Sequence, residues 1–233
     1  MDRYKTIAMR VIIIMFDFAK AQRLSLTQQI EQNLKNALII GALKPGERLN
    51  TKDIADAQGI SITPVREALL RLVSSGALYA APAQAFLVPE LTLERYNEIQ
   101  TIRKRLEGMA AAAASEKMTM EKVSQLHKLV EHFHHIKSSG DIAKTLQANY
   151  QFRFSLYEYA EMPTLISLIE QLWVRIGPSF NYLYPHVDAQ FYQQTFYQPL
   201  LSALEKGEQA ETYKAMCQVI DESGELLQKQ YIN

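Results

Sequence analysis

Cysteine is nearly absent from this sequence, and neither sign of charge predominates. Cys217 is the only cysteine among 233 residues, and it cannot form an internal disulfide. A reducing compartment is therefore expected, and we predict a cytoplasmic protein. The 25 basic and 25 acidic residues cancel, so the chain has no overall positive field. Any contact with nucleic acid must come from locally positioned groups.

Long apolar runs are also missing. The N-terminal apolar run covers only residues 11–16 and has a charged residue on each side. A membrane span needs about 20 apolar residues, and the core of a signal peptide is also longer than this run. We therefore expect no membrane association. Residues 1–23 are predicted to be an N-terminal arm, or to follow a start codon placed too early, with Met9 or Met15 as the real first residue.

Recognisable catalytic motifs are absent as well. The sequence contains no G-x-S-x-G, no H-E-x-x-H and no glycine-rich phosphate loop. Four side chains that can bind a metal do lie at helical spacing: His127, Glu131, His134 and His135. They could share one helix face, but three lysines in the same segment would repel a cation. A solvated polar face is the preferred interpretation, and a metal-dependent helical-bundle enzyme is kept as an alternative.

Periodic apolar positions with clear start and stop signals predict three short helices in the first third of the chain. The predicted segments are 24–40, 52–58 and 61–75, each followed by a glycine. Residues 78–91 then alternate in polarity and contain Pro82 and Pro89, which favours a small β-hairpin.

The rest of the chain is predicted to be helical. Thr92 begins a long helix, and its inward stripe is expected to be Tyr96, Ile99, Arg103, Leu106 and Ala110. Further helices are predicted over 119–137, 141–160, 163–184, 189–206 and 208–231. Their wide apolar faces must be buried on each other. The predicted fold class is mainly α, with a domain boundary at residues 89–92.

Residues 61–72, SITPVREALLRL, combine an apolar stripe with a polar beginning. The expected buried stripe is Val65, Ala68, Leu69 and Leu72. Ser61, Thr63 and Arg66 lie off this stripe, and Pro64 is tolerated because first-turn N–H groups have no helical partner. Three helices followed by a hairpin is the order of a winged helix-turn-helix, in which the third helix enters the major groove. An ordinary amphipathic helix with an exposed arginine is the alternative.

Residues 41–78, GALKPGERLNTKDIADAQGISITPVREALLRLVSSGAL, resemble the DNA-binding module of GntR-family bacterial transcription regulators. Residues 102–107 (IRKRLE) and 203–208 (ALEKGE) resemble two motifs of the all-helical effector domain in the FadR/FCD branch. The segments PAQAF and EQLWVR are similar to the McbR (YncC) group within it. The resemblance implies a winged helix-turn-helix domain over 24–88. It also implies a helical effector-binding and dimerisation domain over 95–233.

The resemblance implies six DNA-contacting residues, which are Lys52, Ser61, Ile62, Thr63, Arg66 and Gln84. Ile62 replaces an arginine of the family motif. It could touch a thymine methyl group or simply pack. Residues 24–88 contain six basic and five acidic side chains, which leaves a net charge of only +1. One module is therefore expected to bind DNA weakly, and two modules of a homodimer on a palindromic operator are expected to bind it well.

The resemblance also locates the four positions at which many FCD domains bind a divalent metal. They are occupied here by Asn149, Arg153, Tyr197 and Val219. Arginine offers no lone pair and valine has no donor atom, so we predict no metal and no cofactor.

The predicted effector-binding residues are Arg103, Asn149, Arg153 and Tyr197. Two inward-facing guanidiniums suit a carboxylate or phosphate effector. The alternative is that each arginine pairs with an internal acid such as Glu107. The expected function is a cytoplasmic, homodimeric repressor controlled by a small molecule. A constitutive DNA-binding protein with a filled core is the other alternative.

Overall fold

The computed structural model describes residues 25–81, 85–183 and 197–232. The predictions for residues 1–23 and for Gln84 lie outside these ranges. The N-terminal part comprises α1 (Leu26–Ile39), β1 (Arg48–Leu49), α2 (Thr51–Gln58), α3 (Ile62–Ser74), β2 (Tyr79–Ala81) and β3 (Ala85–Leu87). The C-terminal part comprises α4 (Leu93–Ser115), α5 (Met120–Ser138), α6 (Ile142–Glu158), α7 (Pro163–Ile176), a 3-10 segment (Gly177–Leu183), α8 (Gln198–Lys206) and α9 (Gln209–Ile232). The mainly α prediction is confirmed.

The first two helices begin and end at the residues that their sequence signals indicate. Ser25 forms a capping box with Gln28, so two backbone N–H groups at the start of α1 are satisfied. The Asn50 side chain accepts a hydrogen bond from the backbone N–H of Lys52 and caps α2. Gly59 ends α2 in the left-handed region, at φ 64°, where a residue without Cβ is favoured.

Helix α3 buries the predicted stripe completely. Val65, Ala68, Leu69 and Leu72 are each 0% exposed. They pack with α1 and α2 in the core of the N-terminal part. Burial of four apolar side chains on one side fixes which residues of α3 face the solvent.

The predicted hairpin is present and is part of a three-stranded antiparallel sheet with strand order β1-β3-β2. In β2 and β3, Ala80 faces Phe86 and Ala81 faces Ala85. Strand β1, which pairs Leu49 with Phe86, was not predicted. A two-residue strand has too few positions to show an alternating pattern, so it can be found only through its partner.

The C-terminal part is a helical bundle in which α4 and α9 make the most extensive contact. Of the stripe predicted on α4, Tyr96, Ile99, Arg103 and Ala110 are buried, whereas Leu106 is partly exposed. Gly108 lies against the ring of Tyr213 on α9, where a Cβ would come within 2.8 Å of the ring. Small residues on α4 therefore allow the two helices to pack closely.

The predicted helix over 163–184 is shorter than expected. Helix α7 ends at Ile176, and the chain continues as the 3-10 segment. Pro178 has no N–H to continue the α-helical ladder, which explains the change. For the helix predicted over 189–206, residues 189–196 lie outside the described part, and α8 begins at Gln198. Across residues 25–81, 85–183 and 197–232, the helices are too short or too polar to cross a membrane.

Candidate functional site

The polar residues predicted at the start of α3 are exposed. Ser61, Thr63 and Arg66 all face the solvent, as does Lys52 in the first turn of α2. Ile62 is 49% exposed, although it is a large apolar residue. An exposed isoleucine beside a helix N-terminus is suited to apolar contact with a ligand surface, including a thymine methyl group. Gln84, the sixth residue of the prediction, is outside the described residues.

Ser61 differs from comparable residues at other helix starts. The side chains of Ser25, Asn50, Thr92, Thr119 and Asp141 each cap their own helix. Ser61 is the N-cap of α3 but makes no side-chain cap hydrogen bond. The first-turn N–H groups of α3 and the Ser61 hydroxyl are consequently suited to an external acceptor, such as a phosphate oxygen.

The later charged residues of α3 attach the helix to α1. Thr27 on α1 donates a hydrogen bond to Glu67 at 3.0 Å between the two oxygens. Arg71 pairs with Glu31 on α1, with 3.3 Å between Nη1 and Oε2. These contacts join α3 to α1 and help to set the orientation of its exposed N-terminal end.

A second polar cluster lies buried in the bundle and is centred on Glu107. We call it the Glu107 cluster; its members are Arg103 and Glu107 on α4, Arg153 and Tyr157 on α6, and Trp173 on α7. Glu107 is 0% exposed, and its two carboxylate oxygens accept four hydrogen bonds. Oε1 accepts from Arg103 at 2.6 Å and from Trp173 at 2.9 Å. Oε2 accepts from Arg153 at 2.9 Å and from the Tyr157 hydroxyl.

The electrostatics of the cluster favour a charged carboxylate. Burial raises the pKa of Glu107, but Arg103 and Arg153 outweigh this effect, so the pKa lies below its usual value. Burial and the neighbouring Glu107 charge raise the pKa of Tyr157 well above its usual value, which keeps its hydroxyl protonated as a donor. With two guanidiniums and one carboxylate, the cluster carries one net positive charge.

The four predicted effector residues lie close to one another. Arg153 donates from Nε to the Tyr197 hydroxyl at 3.1 Å, and that hydroxyl donates to Oδ1 of Asn149. Arg103 joins them through Glu107. Both arginines therefore have an internal acidic partner, which is the alternative that the sequence left open. Trp173 was not predicted as a member, because a tryptophan at helical spacing resembles ordinary core.

A lysine lies near the Tyr197 end of this chain of contacts. Lys137 on α5 is 0% exposed, and its Nζ lies 5.9 Å from the ring centroid of Phe133. The Phe133 ring in turn packs edge-on against Tyr197, with 5.6 Å between centroids. Burial lowers the pKa of Lys137 to about 8. This lysine adds positive charge on the same side of the bundle at neutral pH.

The histidine-rich segment of α5 does not form a metal site. His127 pairs with Glu205 on α8, with 2.5 Å between Nε2 and Oε1. The Nε2 atom of His134 is buried without a hydrogen-bond partner. Over the part of the chain that the structure describes, no group of three or more His, Cys, Asp or Glu residues could hold a metal ion.

Comparison with known proteins identifies two families along the chain. The model of bacterial regulatory proteins of the gntR family matches residues 26–88, and that of the FCD domain matches residues 98–222. The HTH-type transcriptional regulator McbR of Escherichia coli strain K12 is 42% identical over 214 residues, covering 91% of this chain and 97% of McbR. The HTH-type transcriptional repressor RspR of the same strain is 22% identical over 201 residues, covering 85% and 87%.

Solved structures agree with the sequence comparison. The structure of E. coli McbR/YncC superposes with a TM-score of 0.84 at 43% identity, covering 90% of this chain and all of that one. A transcriptional regulator from Rhodococcus sp. RHA1 superposes with a TM-score of 0.70 at 18% identity, covering 88% and 99%, which shows a shared fold. The similarity to the McbR group that PAQAF and EQLWVR predicted is confirmed.

Proposed function

The chain belongs to the GntR family of bacterial regulatory proteins with an FCD domain, and we propose that it binds a palindromic operator as a homodimer under the control of a small anionic effector. It is a DNA-binding transcription regulator and not an enzyme. A regulator acts where the DNA is, so the proposed location is the bacterial cytoplasm. The predicted domain ranges 24–88 and 95–233 are retained as part of this proposal.

The exposed start of α3 is the main support for the DNA surface. The Ser61 hydroxyl makes no cap hydrogen bond, and Arg66 is exposed beside the buried stripe. Arginine can pair bidentately with guanine or bind a phosphate. Lys52, Ile62 and Thr63 extend the proposed contact surface. Gln84 is proposed as the contribution of the wing.

The weak charge of one module supports the dimer. An excess of one positive charge between residues 24 and 88 provides little phosphate attraction. When two modules are held together, binding of the first half-site makes binding of the second intramolecular. This raises the affinity without new contacts. Half-sites one helical turn apart, on a palindrome, match such a dimer. We propose repression as the outcome, and RspR, which matches 85% of this chain, is named a repressor.

The Glu107 cluster supports the choice of an anionic effector. Its net positive charge, the nearby Lys137 and the polar groups of Asn149 and Tyr197 suit a carboxylate or a phosphate. We propose that such a ligand binds on the Arg153–Tyr197 side of the cluster. It would shift the protein between two arrangements with different spacing of the two α3 helices.

A specific observation also favours the second candidate, a constitutive DNA-binding protein. Glu107 already accepts four hydrogen bonds and pairs with both buried arginines. A cluster satisfied in this way can act as a purely structural core. Operator binding that does not respond to any carboxylate or phosphate compound would favour this candidate.

The DNA proposal is tested with Arg66→Ala and the matched control Arg71→Ala. Both remove one exposed arginine from α3, but Arg66 lies near the start of the helix and Arg71 lies in its last turn. Operator duplexes recovered by genome-wide footprinting serve as ligands, and fluorescence anisotropy measures their Kd. Arg66→Ala is expected to weaken binding by about 1–3 kcal/mol, with a smaller change for Arg71→Ala. Equal Kd values for Arg66→Ala and wild type would contradict the proposed surface.

The effector proposal is tested by screening carboxylates and phosphates for an effect on operator affinity. Arg153→Met is expected to abolish the change in operator affinity that an active compound causes. Arg95→Met, which replaces an exposed arginine, is expected to leave that change as in the wild type. The footprints supply the half-site spacing. The pathway of the genes beside the footprinted sites narrows the set of compounds to test. A response that survives Arg153→Met would place the effector elsewhere.

A further inference from the structure

The segment EQLWVR, residues 170–175, lies between the buried cluster and the N-terminal part. Trp173 on α7 donates to Glu107, and the guanidinium of Arg103 lies 5.0 Å from the centroid of its ring. Two residues later, Arg175 donates from Nε at 3.1 Å and from Nη2 at 2.6 Å to the carbonyl oxygen of Ser75. One short stretch of α7 therefore touches both the cluster and the end of α3.

Ser75 is the C-cap residue of α3, the helix whose opposite end carries the proposed DNA contacts. A cation at a helix C-terminus is stabilised by the helix dipole and by the carbonyl groups that lack a helical partner. Gly76, at φ 72°, allows the chain to turn beside the Arg175 guanidinium, where a Cβ would lie 3.4 Å from Nη2. The C-terminal end of α3 is thus held by a side chain from the bundle.

The 3-10 segment after α7 holds α1 in a similar way. A Cβ on Gly177 would lie only 2.2 Å from the carbonyl oxygen of Leu38, so the two backbones are in direct contact. Asn181 donates from Nδ2 to the carbonyl oxygen of Gly41 at 2.6 Å. Because α1 is attached to α3 through an ion pair and a hydrogen bond, a displacement of α7 acts on both helices.

We propose that Arg175 is a positioning residue that couples the Glu107 cluster to the DNA-binding end of α3. The proposal rests on the proposed use of α3 in DNA binding, but it does not require the effector to be known. Coupling between two sites is reciprocal, so a change at one end must be felt at the other. DNA bound to α3 should therefore alter the surroundings of Trp173.

Trp173 makes this coupling measurable because it is the single tryptophan of the chain. It is 1% exposed, so a bound duplex does not touch it, and a change in its fluorescence reports a change in the cluster. The probe is a labelled duplex selected from a random library with the full-length protein. Anisotropy of the label measures DNA binding independently of Trp173 emission.

Saturating duplex is expected to change the Trp173 emission of the wild type. Arg175→Met keeps the aliphatic stem but cannot donate to Ser75, and it is expected to lose this change while still binding the duplex. Arg95→Met removes an exposed arginine that pairs with Glu98, and it should behave like the wild type. If Arg175→Met unfolds, as judged by circular dichroism, Arg175→Gln replaces it with the same expectation.

Two results would overturn the coupling. One is a wild-type protein that binds the duplex with no change in Trp173 emission. The other is an Arg175→Met or Arg175→Gln variant that shows the full wild-type change. A failure of the DNA surface gives a different result, because Arg66→Ala would then bind the duplex as tightly as the wild type in the anisotropy assay.

Discussion

Replacing Glu107 with glutamine is expected to destabilise the protein strongly. The substitution keeps the size of the side chain but leaves Arg103 and Arg153, each 2% exposed, without their shared carboxylate. Removing one partner of a buried ion pair typically costs about 3–5 kcal/mol, because the remaining charge is buried without compensation. For a chain of this length, about 2–4 °C of Tm corresponds to each kcal/mol, so we expect a decrease of roughly 6–20 °C.

Thermal unfolding followed by circular dichroism, together with urea titration, measures this effect. The matched control is Glu98→Gln, which removes a carboxylate that pairs with Arg95 one helical turn away. Both partners of that pair are about half exposed, and such surface pairs contribute about 0–1 kcal/mol. A Glu107→Gln variant within about 1 kcal/mol of wild type would refute the claim that Glu107 compensates two desolvated guanidiniums.

Measuring the stability of the wild type and of Glu107→Gln at several pH values distinguishes the effect of charge from that of packing. The folded-state pKa of Glu107 lies below its unfolded value. As the pH falls, the unfolded chain therefore takes up a proton at this residue before the folded protein does. The stabilisation is present above the unfolded pKa, about 4.3, and is lost as the pH falls through the lower folded value. The stability difference between wild type and Glu107→Gln should therefore shrink below about pH 4.

Three other substitutions test separate parts of the structure. Ile62→Arg should tighten operator binding and steepen the slope of log affinity against log salt by about 0.9 if it neutralises one phosphate, and an unchanged slope would place residue 62 away from the backbone. Lys137→Met should raise the free energy of unfolding at pH 7 by about 1–3 kcal/mol, because the pKa of Lys137 is lowered to about 8 by burial. That gain should begin to shrink near pH 8 and disappear as the pH approaches the unfolded lysine pKa of about 10.4. A gain independent of pH would mean that packing alone explains it. Gly177→Ala should lower the Tm by the equivalent of about 1–3 kcal/mol, because its Cβ would lie 2.2 Å from the carbonyl oxygen of Leu38, a backbone atom that cannot move as a side chain can. An unchanged Tm would argue against this contact.

Most of the fold of the N-terminal part could be predicted from its residues. The spacing of Val65, Ala68, Leu69 and Leu72 indicated a buried side of α3, and the opposite side followed automatically. The GntR motif supplied the order of helices and hairpin. The strand β1 was not predicted, because it depends on a partner segment far away in the chain. The early end of α7 was not predicted either, although Pro178 is a local signal for it.

The buried cluster was only half predictable. The sequence indicated that Arg103 faces inward, and it named Glu107 as one of several possible partners. The family resemblance placed Arg153 at a position where many FCD domains bind a metal. It could not show that one carboxylate accepts from both arginines and from Trp173. These contacts join α4, α6 and α7 across 46 and 66 residues of sequence.

The sequence by itself determined the helices, the side of α3 that faces the solvent and the family, because these depend on local spacing and on short motifs. Only the tertiary structure decided which charges neutralise each other in the bundle and where the bundle touches the N-terminal part. The Arg175–Ser75 contact spans 100 residues, and nothing in the local pattern of either residue specifies the other. Such partners are chosen by the packing of whole helices, which brings together groups that are remote in the chain.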